Sequence, residues 1–178
     1  MLDIINNLKP FFEDNYRKIS VREYARIMRI SAPTASKHLE AYHKNNLLQK
    51  ERFRAYIFYF AQRDEPVFIH LCRIYWYHRI KNAGIIRHIE EKALDPLIIL
   101  YGSASKAEIS SGSDVDIAVV RVDEPINLQN FRKSFGKELH VFSFKSVSEI
   151  KHPFLYSLTN GFILRGNWYE LGGKKDKG

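Results

Sequence analysis

The sequence predicts an α/β chain of the α+β kind, and three observations carry that reading. Two short amphipathic patterns separated by a tight turn occupy residues 20–44. A long aromatic and apolar helical pattern follows over residues 66–84. Two aliphatic strands, "LIILY" and "VDIAVV", come next, with a Gly-Ser pair leaving one and two aspartates at the mouth of the other. Helical period first and buried strands later is the order of an α+β chain.

The bulk properties set the bounds. A chain of 178 residues holds one ordinary domain or two small ones, and 45% hydrophobic residues suffice for real cores. No run approaches eighteen apolar residues, and Met1–Pro10 has no basic region followed by an apolar stretch, which argues against a membrane span and a secretory signal. The single cysteine, Cys72, precludes an internal disulfide and fits a reducing, cytoplasmic compartment. The net charge of +8 points to an anionic partner. Residues 1–62 hold 11 Lys and Arg against 6 Asp and Glu, so most of the excess sits in the first third.

Within that third, Ser20 and Glu23 have the S-x-x-E spacing of a capping box, which satisfies two orphan amides of a first helical turn. Val21, Tyr24, Ala25 and Met28 then fall on one helical face. Ser31 is an N-cap candidate for a second helix, with Pro33 in the first turn, where a missing amide costs little. Ala35, Leu39 and Tyr42 form its buried stripe, leaving Thr34, Ser36, Lys37 and Lys44 to face outward.

The segment "MRISAPTASKHLEAYHKNNLLQK" resembles the reading head of winged helix-turn-helix transcription regulators, over about twenty residues. The resemblance implies a DNA partner, with Thr34, Ser36, Lys37 and His38 on the recognition helix. It makes "LLQKERFRAYIFYF" the wing, with Arg52 and Arg54 near its tip. A basic helix suits the major groove, and arginines can reach phosphates or a narrow minor groove. No glycine is present to turn the hairpin, so the wing is expected to be short or irregular. The alternative use of such a unit is protein contact or dimerisation.

In the middle segment, Val67, Leu71, Ile74, Tyr75 and His78 recur at helical spacing in a helix that is apolar on more than one side. It reads as a connecting helix that helps make a homodimer. "IIRHIEEKALD" reads as a further helix ending before Pro96. The seven histidines show no metal spacing, which argues against zinc.

"LIILY" is a buried strand bounded by Pro96 and Gly102. Gly102 lets backbone approach a bulky ligand, and freed amides with the Ser103 hydroxyl can donate to phosphate oxygens. After a turn at residues 111–113, alternation along the second strand puts Asp114 and Asp116 on one face, roughly 7 Å apart at their Cα atoms. Like charges so placed need something positive between them. Paired carboxylates hold hard divalent cations such as Mg²⁺, and shared carboxylates suit two ions roughly 3.5–4 Å apart.

Gly102-Ser103, ten residues, then Asp114-Val115-Asp116 is similar to the G-S-x10-D-x-D signature of the polymerase-beta-like nucleotidyltransferase superfamily, its minimal branch in particular. The likeness covers roughly residues 85–166 and closes on "NGFILRG". It implies that Gly102, Ser103, Lys106 and Ser113 bind a nucleoside triphosphate and that Asp114 and Asp116 bind Mg²⁺. The implied reaction moves a nucleoside monophosphate to a hydroxyl, a protein hydroxyl by analogy with antitoxins of that branch. Ala104 stands where such loops often have Arg, and Ala107 where they often have Gly.

The superfamily's third carboxylate is expected on "KELHVFSF", where the central position is His140. Glu138 shares its face with His140 and is the substitute carboxylate, or His140 acts as the base. Three outcomes stay open: catalysis through Glu138 or His140, nucleotide sensing without turnover, and a fold kept for dimerisation. The expected layout is a winged helix over 1–62, a connecting helix over 63–84, a nucleotidyltransferase-type mixed sheet with flanking helices over 85–171 and a disordered tail over 172–178.

Overall fold

Helix α1 (Leu2–Glu13) begins the first of two units in the computed structural model, which describes residues 2–168. The tail expected over 172–178 lies outside the described residues. Ile5, Leu8, Phe11 and Phe12 are all buried, so α1 is a core helix despite Pro10 inside it. A two-residue strand β1 (Ile19–Ser20) leads into α2 (Val21–Met28). Ser20 Oγ accepts from the Glu23 amide at 3.3 Å, which is one half of the predicted capping box. The Glu23 carboxylate is engaged by Arg17 at 2.6 Å.

Arg29 ends α2 in the left-handed conformation (φ 56°), and the Ile30 amide bonds back to the Ala25 carbonyl at 3.0 Å. Helix α3 (Ala32–Lys44) starts on Ser31, whose hydroxyl accepts from the Thr34 amide, as the sequence predicts. Ala35 and Leu39 are its buried residues.

Strands β2 (Leu48–Phe53) and β3 (Tyr56–Ala61) form a hairpin of six paired positions, and β1 completes an antiparallel sheet in the order β1-β3-β2. The expectation of a short or irregular hairpin fails. Only Arg54 and Ala55 separate the paired Phe53 and Tyr56, and Arg54 itself takes the left-handed conformation (φ 54°). That costs a non-glycine residue roughly 1–2 kcal/mol, which the ladder offsets.

Helix α4 (Pro66–Asn82) gives its first ten residues, to Tyr75, to this unit and the remainder to the second. Its buried positions are Phe68, Cys72, Tyr75, Trp76 and Ile80. Of the stripe expected through Val67, Leu71, Ile74, Tyr75 and His78, Tyr75 is buried, Leu71, Ile74 and His78 are half-buried, and Val67 is exposed. A helix apolar all round gives periodicity no way to choose a face, and the largest rings took the interior. Phe68 packs on Phe12 at 5.3 Å between ring centres.

The second unit takes Trp76–Ser105 and the chain from Asp114 onward. Helix α5 (Ile85–Glu90) buries Ile85, Ile86 and Ile89, then stops short of the expected end at Pro96. Leu94 is 94% exposed, and Asp95 takes φ 48° ahead of the proline.

Strand β4 (Leu97–Tyr101) runs into α6 (Gly102–Lys106), and β5 (Val115–Val120) returns antiparallel to β4. A short helix α7 (Arg132–Phe135) precedes β6 (Leu139–Phe144), which lies parallel to β5. Helix α8 (His152–Thr159) leads to β7 (Phe162–Arg165), antiparallel to β4. The order β6-β5-β4-β7 makes a mixed sheet with β6 at one edge. One face holds Leu97, Ile99, Tyr101, Ala118 and Val120 against Ile150, Leu158 and Phe154.

Candidate functional site

Register brings the site together at the end of the second unit's sheet. Tyr101 pairs with Asp116 across β4 and β5, and Asp116 pairs with His140 across β5 and β6. Directly paired residues share a face, and Asp114, two residues before Asp116, shares it too.

His140 faces both aspartates. Its Nε2 lies 3.6 Å from Asp114 Oδ2 and its Nδ1 3.8 Å from Asp116 Oδ1. One imidazole thus addresses both carboxylates, one ring nitrogen each, at ion-pair distances that are long for hydrogen bonds. Burial raises the Asp116 carboxyl above its ordinary value, His140 draws it back, and the neighbouring Asp114 charge pushes it up again. Burial, with the Asp116 charge added, likewise raises the Tyr101 phenol.

Gly102 closes the third side. Its φ is +67°, and a Cβ placed there would meet the Asp116 carboxylate. Glycine is therefore required twice over, for its backbone and for its lack of a side chain. The first turn of α6 is tied by Ser105 Oγ donating to the Gly102 carbonyl at 2.9 Å, a contact the sequence reading did not anticipate. Ser103 is partly exposed in that turn.

Glu138 is placed differently from its sequence-based role. Its carboxylate accepts from Arg132 Nε at 2.7 Å, and its carbonyl accepts from the Val115 amide at 3.0 Å. His140 is in ion-pair reach of both aspartates. Among the described residues no three His, Cys, Asp or Glu side chains are arranged to hold a metal ion together. Asp114 and Asp116 are a pair of carboxylates that could hold a cation. That donor set fits Mg²⁺, which is commonly held by one or two carboxylates and completes its shell with waters and substrate phosphates. Burial is the main cause of the raised Asp116 carboxyl, and the smaller repulsion from Asp114 is the kind a bound cation relieves.

Lys106 and Ser113 belong to the segment Lys106–Ser113, which is part of the first unit. Lys106 is exposed, and the Ser113 hydroxyl is occupied at 2.8 Å by both the amide and the hydroxyl of Ser110. Ala107 takes φ 57°, a left-handed conformation that favours glycine.

The residues expected to read DNA are unequal. Ser36 and Lys37 of α3 and Arg52 and Arg54 of the hairpin are exposed. The Thr34 hydroxyl is shared with Ser31 at 2.8 Å as part of the helix cap. His38 is half-buried beside Tyr42, and its Nδ1 is enclosed without a hydrogen-bond partner. Among the described residues no helix is long and apolar enough to cross a membrane. No protein-family model matches the chain, and no curated protein matches it.

Proposed function

We propose that the chain is a Mg²⁺-dependent nucleotidyltransferase joined to a DNA-binding winged helix. The observation that carries the reading is His140, one ring nitrogen directed at each of two aspartates that share a strand face beside a left-handed glycine. Asp114 and Asp116 would hold the cation, which when bound neutralises triphosphate charge. Gly102 and Ser103 lie at the exit of β4, where backbone and hydroxyl can donate to phosphate oxygens.

In this reading His140 is the base and accepts the proton of an acceptor hydroxyl. The hydroxyl oxygen forms its bond to the α-phosphorus as the bond from that phosphorus to the β-phosphate bridging oxygen breaks, and pyrophosphate leaves. The test is incubation with Mg²⁺ and each labelled nucleoside triphosphate, with and without cell extract, against Asp114→Ala/Asp116→Ala. Label passed to a macromolecule by the natural chain and lost in the double variant is the expected result. No transfer under any condition rejects catalysis.

A second reading rests on Glu138, the substitute carboxylate, which is held by Arg132 at 2.7 Å. In this reading the site binds a nucleotide without turnover, and the chain is a transcription regulator that senses it. Lys37 and Arg54 then carry the DNA contact. Replacing Lys37 with Ala should lower DNA affinity across sequences and reduce the salt slope by about one.

A further inference from the structure

Phe142 is the anomaly of the second unit's sheet. It projects from β6 in register with Ala118, two residues beyond His140 and on the same face. Leu97, Ile99, Ala118 and Val120 on that face are fully buried, whereas Phe142 is 49% exposed. Its neighbour in register is an alanine, so no long side chain from β5 covers it.

The exposed ring is nevertheless held in place. Tyr101 meets it edge-on at 6.4 Å between centres, and Phe154 of α8 packs at 5.4 Å. Phe154 is itself braced by Tyr101 at 5.3 Å and Phe144 at 5.9 Å. Tyr101 belongs to both clusters, since it pairs with Asp116 on β5 and supports Phe142. A rigid apolar ring with one side in water therefore lies one strand repeat, roughly 7 Å, from the histidine that faces the acidic pair.

We propose that Phe142, backed by Tyr101 and Phe154, is the platform on which the base of a nucleoside triphosphate stacks while its phosphates lie at Asp114 and Asp116. This rests on the nucleotide-binding reading above and adds where the base goes. Stacking on a ring that is already immobilised costs little ordering entropy, and it tolerates any base because every base has a π-face. A phenyl ring supplies no base-edge donor or acceptor, so the platform accepts purines more tightly than pyrimidines by stacking area and does not select one purine over the other.

The experiment is calorimetric titration of the full chain, in Mg²⁺, with ATP, GTP, CTP and inorganic tripolyphosphate. The natural chain should bind ATP and GTP comparably and more tightly than tripolyphosphate. Phe142→Ala and Phe142→Leu should weaken ATP about tenfold or more, the size expected for one lost stacking contact. Tripolyphosphate affinity should be unchanged in both variants, which also shows that they fold, and Phe142→Trp should restore ATP binding. If the natural chain binds neither ATP nor tripolyphosphate, the nucleotide site and the platform fall together. If both ligands bind but Phe142→Leu leaves ATP affinity unchanged, or lowers tripolyphosphate equally, the platform alone is overturned. A change of oligomeric state in Phe142→Leu with ATP affinity intact also overturns it and assigns the ring to a protein contact.

Discussion

Asn15 and Ile109 exchange two hydrogen bonds of 2.8 Å across 94 residues of sequence: the Asn15 amide donates to the Ile109 carbonyl, and the Ile109 amide donates to Asn15 Oδ1. Asn15 Nδ2 donates in turn to the Phe11 carbonyl at 2.7 Å. Asn15 is buried, so this one side chain satisfies backbone groups of two distant segments that have no water to turn to. The segment it secures, Lys106–Ser113, is the stretch between the Gly-Ser pair and the two aspartates.

Asn15→Ala should therefore be costly for an uncharged substitution. It leaves the Ile109 amide and the Phe11 carbonyl without these partners, and each such loss costs about 1–3 kcal/mol. Urea unfolding should show a midpoint shift of that size with an unchanged slope. A change below about 0.5 kcal/mol would mean water or another group takes over.

Gly102→Ala should destabilise by about 1–2 kcal/mol from backbone strain alone. The new Cβ would also meet the Asp116 carboxylate and displace it. Thermal melts with and without Mg²⁺ separate the two effects. Strain lowers both melting temperatures, whereas displacement abolishes the difference between them.

Asp116→Asn should raise the melting temperature of the metal-free protein at neutral pH. Burial, and the Asp114 charge behind it, raise the Asp116 carboxyl in the folded state. A raised group contributes stability that is complete below its ordinary value of 3.8 and is lost as pH climbs through the folded value. Above that window the natural protein carries the penalty and the asparagine variant does not. Melts from pH 3 to pH 7 should diverge upward, and added Mg²⁺ should raise the natural protein's melting temperature without raising the variant's. Identical pH curves would sink the argument.

Tyr59 supplies an alkaline counterpart in the first unit. Burial and the hydrogen bond to Glu40 push its phenol up to about 12 from an ordinary 10.0. Its contribution is complete below pH 10 and is lost as pH rises through 12. Tyr59→Phe should flatten the loss of stability between pH 10 and 12 in urea titrations. An unchanged pH slope would count against it.

The elements most legible in the sequence are those whose signal is local. Ser20 and Ser31 start their helices because an N-cap needs only a side chain and an amide three residues on. β4 and β5 are where aliphatic runs between Pro, Gly and turn residues put them. Helix α1 escaped notice because Pro10 discourages a helical reading, although Ile5, Leu8 and Phe12 carried the period. In α4 the period itself was ambiguous, since rings occupy several sides and only packing on Phe12 and Phe135 selects the inner one.

By itself the sequence determined that Asp114 and Asp116 share a face and that Gly102 and Ser103 follow a buried strand. Both follow from the two-residue period and the chemistry of the bounding residues. Only the tertiary structure decided which side chain meets them. Pairing β6 parallel to β5 in this register sets His140 beside Asp116 and Phe142 beside Ala118, while Glu138 goes to Arg132. A shift of one residue would have turned His140 and Phe142 to the opposite face. That register is fixed by contacts between strands separated by the whole loop and α7, and such contacts leave no mark in local sequence.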